Sequence, residues 1–150
     1  MRLLLILAVG LLLAADDPKD EAKEKAVKEE LKKLEGSWEV VQMERAGERL
    51  PPEKVKALNM QMIFKEKQVF SKIGGAIGGT ATEASYQIDP TQEPKTIDVT
   101  DKNKDLSRGI YKLDGELLTV CSARPGRDRP TEFKTSPGSD QLLLVLKKVK

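Results

Sequence analysis

The chain has 150 residues, enough for one domain with a real core, and carries 26 basic and 24 acidic side chains, one Cys and no His. Its near balance of interspersed charges excludes the lopsided basic surface of a nucleic-acid-binding domain. Without His, His-based metal hydrolysis and Ser-His or Cys-His nucleophiles are excluded too, and a lone Cys121 rules out any intrachain disulfide, so stability must come from packing.

Met1-Arg2 is a positive start, followed by an apolar run from Leu3 to Ala15 that ends in Leu13-Ala14-Ala15 ahead of Asp16-Asp17. The run is short of the ~20 residues that cross a bilayer as a helix and ends in small residues, the pattern of a secretory signal cut after Ala15. Residues 1–15 are therefore expected to be a signal peptide, and the mature protein to be exported, periplasmic or extracellular, with no stable membrane insertion after cleavage. No Cys follows the run to take a lipid anchor. Without Arg2, 25 basic side chains face 24 acidic ones.

Residues 16–35 read as a charged N-terminal helix. Asp17 can cap it, Pro18 suits the first helical position and Asp20 complements the dipole. Ala22, Ala26, Val27, Leu31 and Leu34 form a thin apolar stripe on an otherwise charged surface, and Gly36 ends the helix. Glu and Lys alternate around the polar face, which argues for a helix leaning on the domain and against one lying on a membrane.

From residue 36 to 150 the hydrophobic period is two. Strands are expected at Ser37–Arg45, Asn59–Lys65, Val69–Ile73, Thr80–Ile88, Thr96–Thr100, Arg108–Leu113, Leu117–Ser122 and Gln141–Val149. A short helical turn is expected over Pro51–Leu58, and Asp114-Gly115 is the strongest hairpin signal. About eight short strands with hairpin-length links favour an up-and-down barrel or a sandwich. Leu142-Leu143-Leu144-Val145-Leu146 is apolar on both faces, which in a barrel requires something outside the wall; the N-terminal helix is the expected cover.

Gly36-Ser37-Trp38 at the start of the first strand is similar to the G-x-W signature of lipocalins. Leu34-Glu35-Gly36-Ser37-Trp38-Glu39-Val40-Val41, Gly109-Ile110-Tyr111-Lys112-Leu113-Asp114-Gly115, Leu118-Thr119-Val120-Cys121, Arg129-Pro130-Thr131-Glu132-Phe133 and Leu143-Leu144-Val145-Leu146-Lys147 extend the likeness. As an ordered set over residues 31–150 they resemble an uncharacterised family of small lipocalin-like domains abundant in exported proteins of planctomycete bacteria. The resemblance implies an all-β, lipocalin-like, up-and-down antiparallel barrel and export. It implies no activity. The family's usual Arg after the last strand is missing, and Lys147 or Lys148 stands where it would be. With an even number of antiparallel strands both chain ends of the barrel share one rim, which puts Lys147 and Lys148 near Trp38; a Lys over the indole would contribute ~0.5–1 kcal/mol. Gly36, Trp38, Lys147 and Lys148 are thus expected to close one end of the barrel.

The same strand count puts four longer connections on the other rim: Ala46–Leu58, Gly74–Gly79, Asp101–Ser107 and Ala123–Asp140. Long loops on one rim of a rigid scaffold suit a ligand mouth. Gly74–Gly79 lacks the Lys-Ser/Thr and the helix of a phosphate loop and reads as a mobile hairpin; Asp101-Lys102-Asn103-Lys104-Asp105 starts like a calcium loop but has Leu106 where Gly is needed and Lys112 where the bidentate Glu belongs. Arg124, Arg127 and Arg129, stiffened by Pro125 and Pro130, are expected on the open rim near Arg45 and Arg49. There they could receive a carboxylate or phosphate; alternatively they form a solvated turn paired with Asp128. Cys121, among apolar and hydroxyl residues, reads as an inert buried thiol. The expectation is a monomeric, non-enzymatic protein without cofactor or metal, taking a small apolar or amphiphilic anionic ligand into a lumen where Thr82 and Ala84 leave room. The alternative is a structural or protein-interaction domain with a filled lumen.

Overall fold

A computed structural model describes residues 17–74 and 79–150; the expected signal peptide and four residues of the expected glycine-rich hairpin lie outside the described residues. Helix α1 (Pro18–Leu34) starts where the Asp17 carboxylate accepts the Lys19 N–H at 3.1 Å, with Asp20 and Glu21 in its first turn and Lys32 and Lys33 in its last, all complementing the dipole. Gly36, at φ 120, turns the chain from helix into strand, a conformation that favours a residue without Cβ.

The remaining elements are β1 (Gly36–Arg45), β2 (Glu48–Arg49), α2 (Pro52–Leu58), β3 (Gln61–Lys65), β4 (Gln68–Ile73), β5 (Thr80–Asp89), β6 (Lys95–Thr100), β7 (Leu106–Asp114), β8 (Leu117–Ala123) and β9 (Gln141–Lys148). From β3 to β9 each strand pairs antiparallel with the next, β3 pairs with β1, and β9 returns to pair with β1. The result is a closed, lipocalin-like, up-and-down barrel of eight strands, with β2 as an extra strand on the free end of β1. Closure leaves no long unpaired edge in the wall. Two-residue turns at Glu66-Lys67 and Gly115-Glu116 join β3 to β4 and β7 to β8 at one end, with Glu66 at φ 55 and Gly115 at φ 59.

Most inward positions follow simple alternation, but β1 contains a bulge: Val40 lies opposite Leu146 and Gln42 opposite Val145. The extra residue flips the face of everything after it, so Met43 and Arg45 join Trp38 and Val40 on the inner face.

Two apolar clusters result. The larger fills the barrel and includes Leu34, Trp38, Phe64, Tyr86, Ile97, Tyr111, Leu118, Leu144 and Leu146. The smaller lies outside the wall, where Ile110, Cys121 and Leu143 pack with Val145 and Phe133. It corrects the expected role of the helix. α1 crosses one end of the barrel, and the outer face of β7–β9 is covered instead by the long β8–β9 connection, residues 124–140, which lies back over the wall as a strap.

The strap is pinned at several points. Arg129 forks onto Asp98 (2.5 and 3.2 Å) and donates to the Gly109 carbonyl at 2.8 Å. The buried Thr135 gives both its N–H and its hydroxyl to the Glu44 carboxylate and accepts the Gly47 N–H at 2.8 Å. Lys112 Nζ sits 4.8 Å from the centre of the Phe133 ring.

Candidate functional site at the open end of the barrel

The end beneath α1 is sealed by side chains. Trp38 is wholly buried, its indole N–H donates to the Leu34 carbonyl at 2.7 Å, and Lys148 Nζ lies 5.2 Å from the ring centre. The same ammonium donates to the Lys33 carbonyl at 3.0 Å, satisfying one of the free carbonyls at the helix C-terminus. Lys147, opposite Glu39 on the outer face, is exposed and takes no part. Phe64 and Tyr86 meet edge to face at 5.2 Å, and the Tyr86 hydroxyl reaches the Glu66 carbonyl in the nearest turn.

Glu30 is the surprise at this end. It is 3% exposed, accepts from Lys95 Nζ at 2.5 Å, Lys33 Nζ at 3.1 Å and, at 3.4 Å, the Tyr111 hydroxyl. Burial pushes its carboxyl up, but the two ammonium groups outweigh that and hold it below the ordinary value. Burial and the Glu30 charge together raise the Tyr111 phenol, and burial lifts Tyr86 to about 12, so neither titrates near neutrality. The only sequence signal for Glu30 is positional, because it falls between Val27 and Leu34 on the apolar stripe.

The other end differs. On the inner face Trp38, Phe64, Tyr86, Ile97, Tyr111, Leu118 and Leu146 are buried and form the floor. Toward the other end Met43, Met62, Ala84, Val99 and Val120 are only half-buried, interleaved with buried neighbours: Leu144 lies opposite Met43 and Val120, and Val69 opposite Ala84. At the rim stand Arg45, Leu142, Ser122 and Ser107, which face inward opposite or beside one another. They line a cavity of about 270 Å³ together with Ala123, Arg124, Pro125, Asp140 and Gln141. The structure thus brings Arg45 and Arg124 together around one rim cavity.

The remaining expected site residues scatter. Arg49, on β2, lies 3.8 Å from Glu44 on the outer side of β1. Arg127 pairs with Asp140 at 3.2 Å, and the same carboxylate lies 3.8 Å from Arg124. Asp140, and not the expected Asp128, is therefore the partner of this loop. Arg129 is not on the rim: its fork onto Asp98 places it against the outside of the wall. Thr82 shares the inner face with Ala84 but is exposed above it, where β5 runs past the mouth. Among the described residues no carboxylate lies within ion-pair distance of Arg45.

Helix α2 contributes a wall to the mouth. Val55 is buried in the barrel cluster and the Leu58 carbonyl accepts the Gly74 N–H at 2.8 Å, tying the helix to the end of β4. Asp101 turns its carboxylate to the N–H groups of Asn103 and Asp105, so it closes its own loop. No group of three or more Cys, Asp or Glu suited to a metal occurs among the described residues. Burial raises the Cys121 thiol to about 11, beneath the strap, which suits an inert packing residue.

No family model, curated protein or solved structure matches this chain. Chemically, the open end offers a soft apolar lining with a cationic, hydroxyl-bearing rim.

Proposed function

We propose that this protein is an exported, non-enzymatic binding module of the lipocalin-like kind, taking a small amphiphilic anion tail-first into the open end of its barrel. The observation that carries the reading is the pairing of half-buried Met43, Met62, Ala84, Val99 and Val120 with Arg45, which faces them from the rim without a carboxylate partner among the described residues. Methionine suits such a lining because it is flexible and polarizable. A guanidinium at the edge of an apolar site offers paired donors to a carboxylate or phosphate. The pattern of Met1 to Ala15, with cleavage after Ala15, supports export.

Competition against anilinonaphthalene sulfonate, comparing octanoate with octanol, tests the reading. Octanoate should displace the dye, and Arg45→Gln with Arg124→Gln should weaken octanoate about tenfold while leaving octanol unchanged. If wild-type protein binds neither the dye nor octanoate, the carrier reading falls. The second reading, an interaction domain with a filled lumen, draws support from the packed floor layer and predicts that outcome.

A further inference from the structure

Resting on that reading, we infer that the site selects short-chain amphiphilic anions, with a tail of roughly eight carbons or fewer set by where the floor begins. The inner face changes character along each of three strands. Leu142 on β9 is half-buried, whereas Leu144 and Leu146, the next two inward positions on the same strand, are buried. On β5 the half-buried Ala84 is followed by buried Tyr86 and Ile88, and on β8 the half-buried Val120 lies above a fully buried Leu118. β5 and β8 thus stop solvent one inward position below Ala84 and Val120, whereas β9 stops it one pair higher, at Leu144 opposite Val120.

That depth follows from strand geometry. Alternate inward residues are about 6.6 Å apart along a strand, and the tilt of an eight-stranded barrel reduces each step to about 5 Å along its axis. Two accessible layers therefore give about 10 Å between the rim guanidinium and the floor, the span of an extended chain of roughly eight carbons. The floor cannot simply yield, because Tyr86 is held edge to face by Phe64 and by the Glu66 carbonyl, and Tyr111 by Glu30. A longer tail must leave its terminal carbons outside the lumen, where they bury no further surface.

The test is a series of straight-chain carboxylates, hexanoate to hexadecanoate, titrated by calorimetry below their micelle concentrations. Affinity should rise about fourfold per methylene up to roughly eight carbons and then stay level. Ala84→Leu, at a half-buried position that can accommodate bulk, should move the break to a shorter chain. Leu144→Ala, which removes part of the floor, should move it to a longer one, with circular dichroism checking that both variants keep the barrel. Affinity that climbs steadily to hexadecanoate in the wild type would overturn the short-chain inference while leaving the binding function intact. A break that both variants leave in place would also overturn it, since the floor would then not set the length. Failure of every carboxylate to bind would remove the proposed function itself.

Discussion

The two ends of this barrel are built from the same strands but solve opposite problems. Beneath α1 the large inward side chains are buried and their polar atoms are matched: the indole of Trp38 by Leu34, the hydroxyl of Tyr86 by Glu66, the carboxylate of Glu30 by Lys95, Lys33 and Tyr111. At the mouth the inward side chains are half-exposed and Arg45 stands over them without a described acidic partner. The difference teaches where this protein puts its stability and where it leaves surface for binding. Buried, matched groups at the sealed end cannot be altered without loss, whereas the mouth carries groups whose removal costs the fold little.

Trp38→Ala should break the sealed end most severely. Loss of a buried aromatic that also satisfies a helix carbonyl is expected to cost about 3–5 kcal/mol in a denaturant melt. A loss under about 1 kcal/mol would mean the end is not closed by this ring. Glu30→Ala comes next, at about 2 kcal/mol, because it leaves Lys95 and Tyr111 facing a site with no acceptor, while Lys95 retains some access to water.

Acid should expose the same contact. Salt bridging and hydrogen bonding hold the carboxyls of Glu30, Glu44 and Asp89 below their ordinary values, for Glu30 by together outweighing the opposing push of burial. Carboxyls lowered in the folded state contribute stability that is complete above their unfolded values near 4 and is lost as pH falls through their folded values. Thermal melts should therefore drop progressively below about pH 4.5, and Glu30→Gln should show a shallower drop than wild type. An unchanged slope in Glu30→Gln would show that the helix contact does not contribute to acid sensitivity.

Arg129→Ala should cost about 1–2 kcal/mol, since it frees the strap from Asp98 and from the Gly109 carbonyl. Hydrogen exchange should then quicken over the strap and leave the α1 end protected. At the mouth, Arg45→Gln should move stability by no more than about 0.5 kcal/mol, the usual range for a surface change. A destabilisation comparable with Arg129→Ala would make Arg45 a structural residue and erase the contrast between the ends.

Much of the fold was legible because its signals are local. Each expected strand overlaps an observed one, the Asp17 cap and the Asp114-Gly115 turn lie where their chemistry demands, and strand parity alone placed Trp38 beside the end of β9. The two-residue β2 was missed, being too short for any period. The site was less legible. Three Arg close together in sequence suggested one anion rim, yet the strap sends Arg129 to the outer wall and turns Arg127 toward Asp140. Sequence proximity of long side chains says little about where their tips go.

What the sequence by itself determined is the periodicity of two, the caps and turns, and the isolation of one Trp after a Gly, because each depends on a few residues acting on the nearest backbone. Tertiary structure alone decided which end the helix seals, which segment covers the outer apolar face of β9, and that Arg45 looks into the mouth. The last depends on one extra residue between Val40 and Gln42: a bulge is fixed by how β1 is paired with β9, and a shift of one residue exchanges the two faces of everything beyond it. Glu30 follows the same logic, since only the approach of Lys95 and Tyr111 from distant strands makes a charged residue on an apolar helix stripe a buried one.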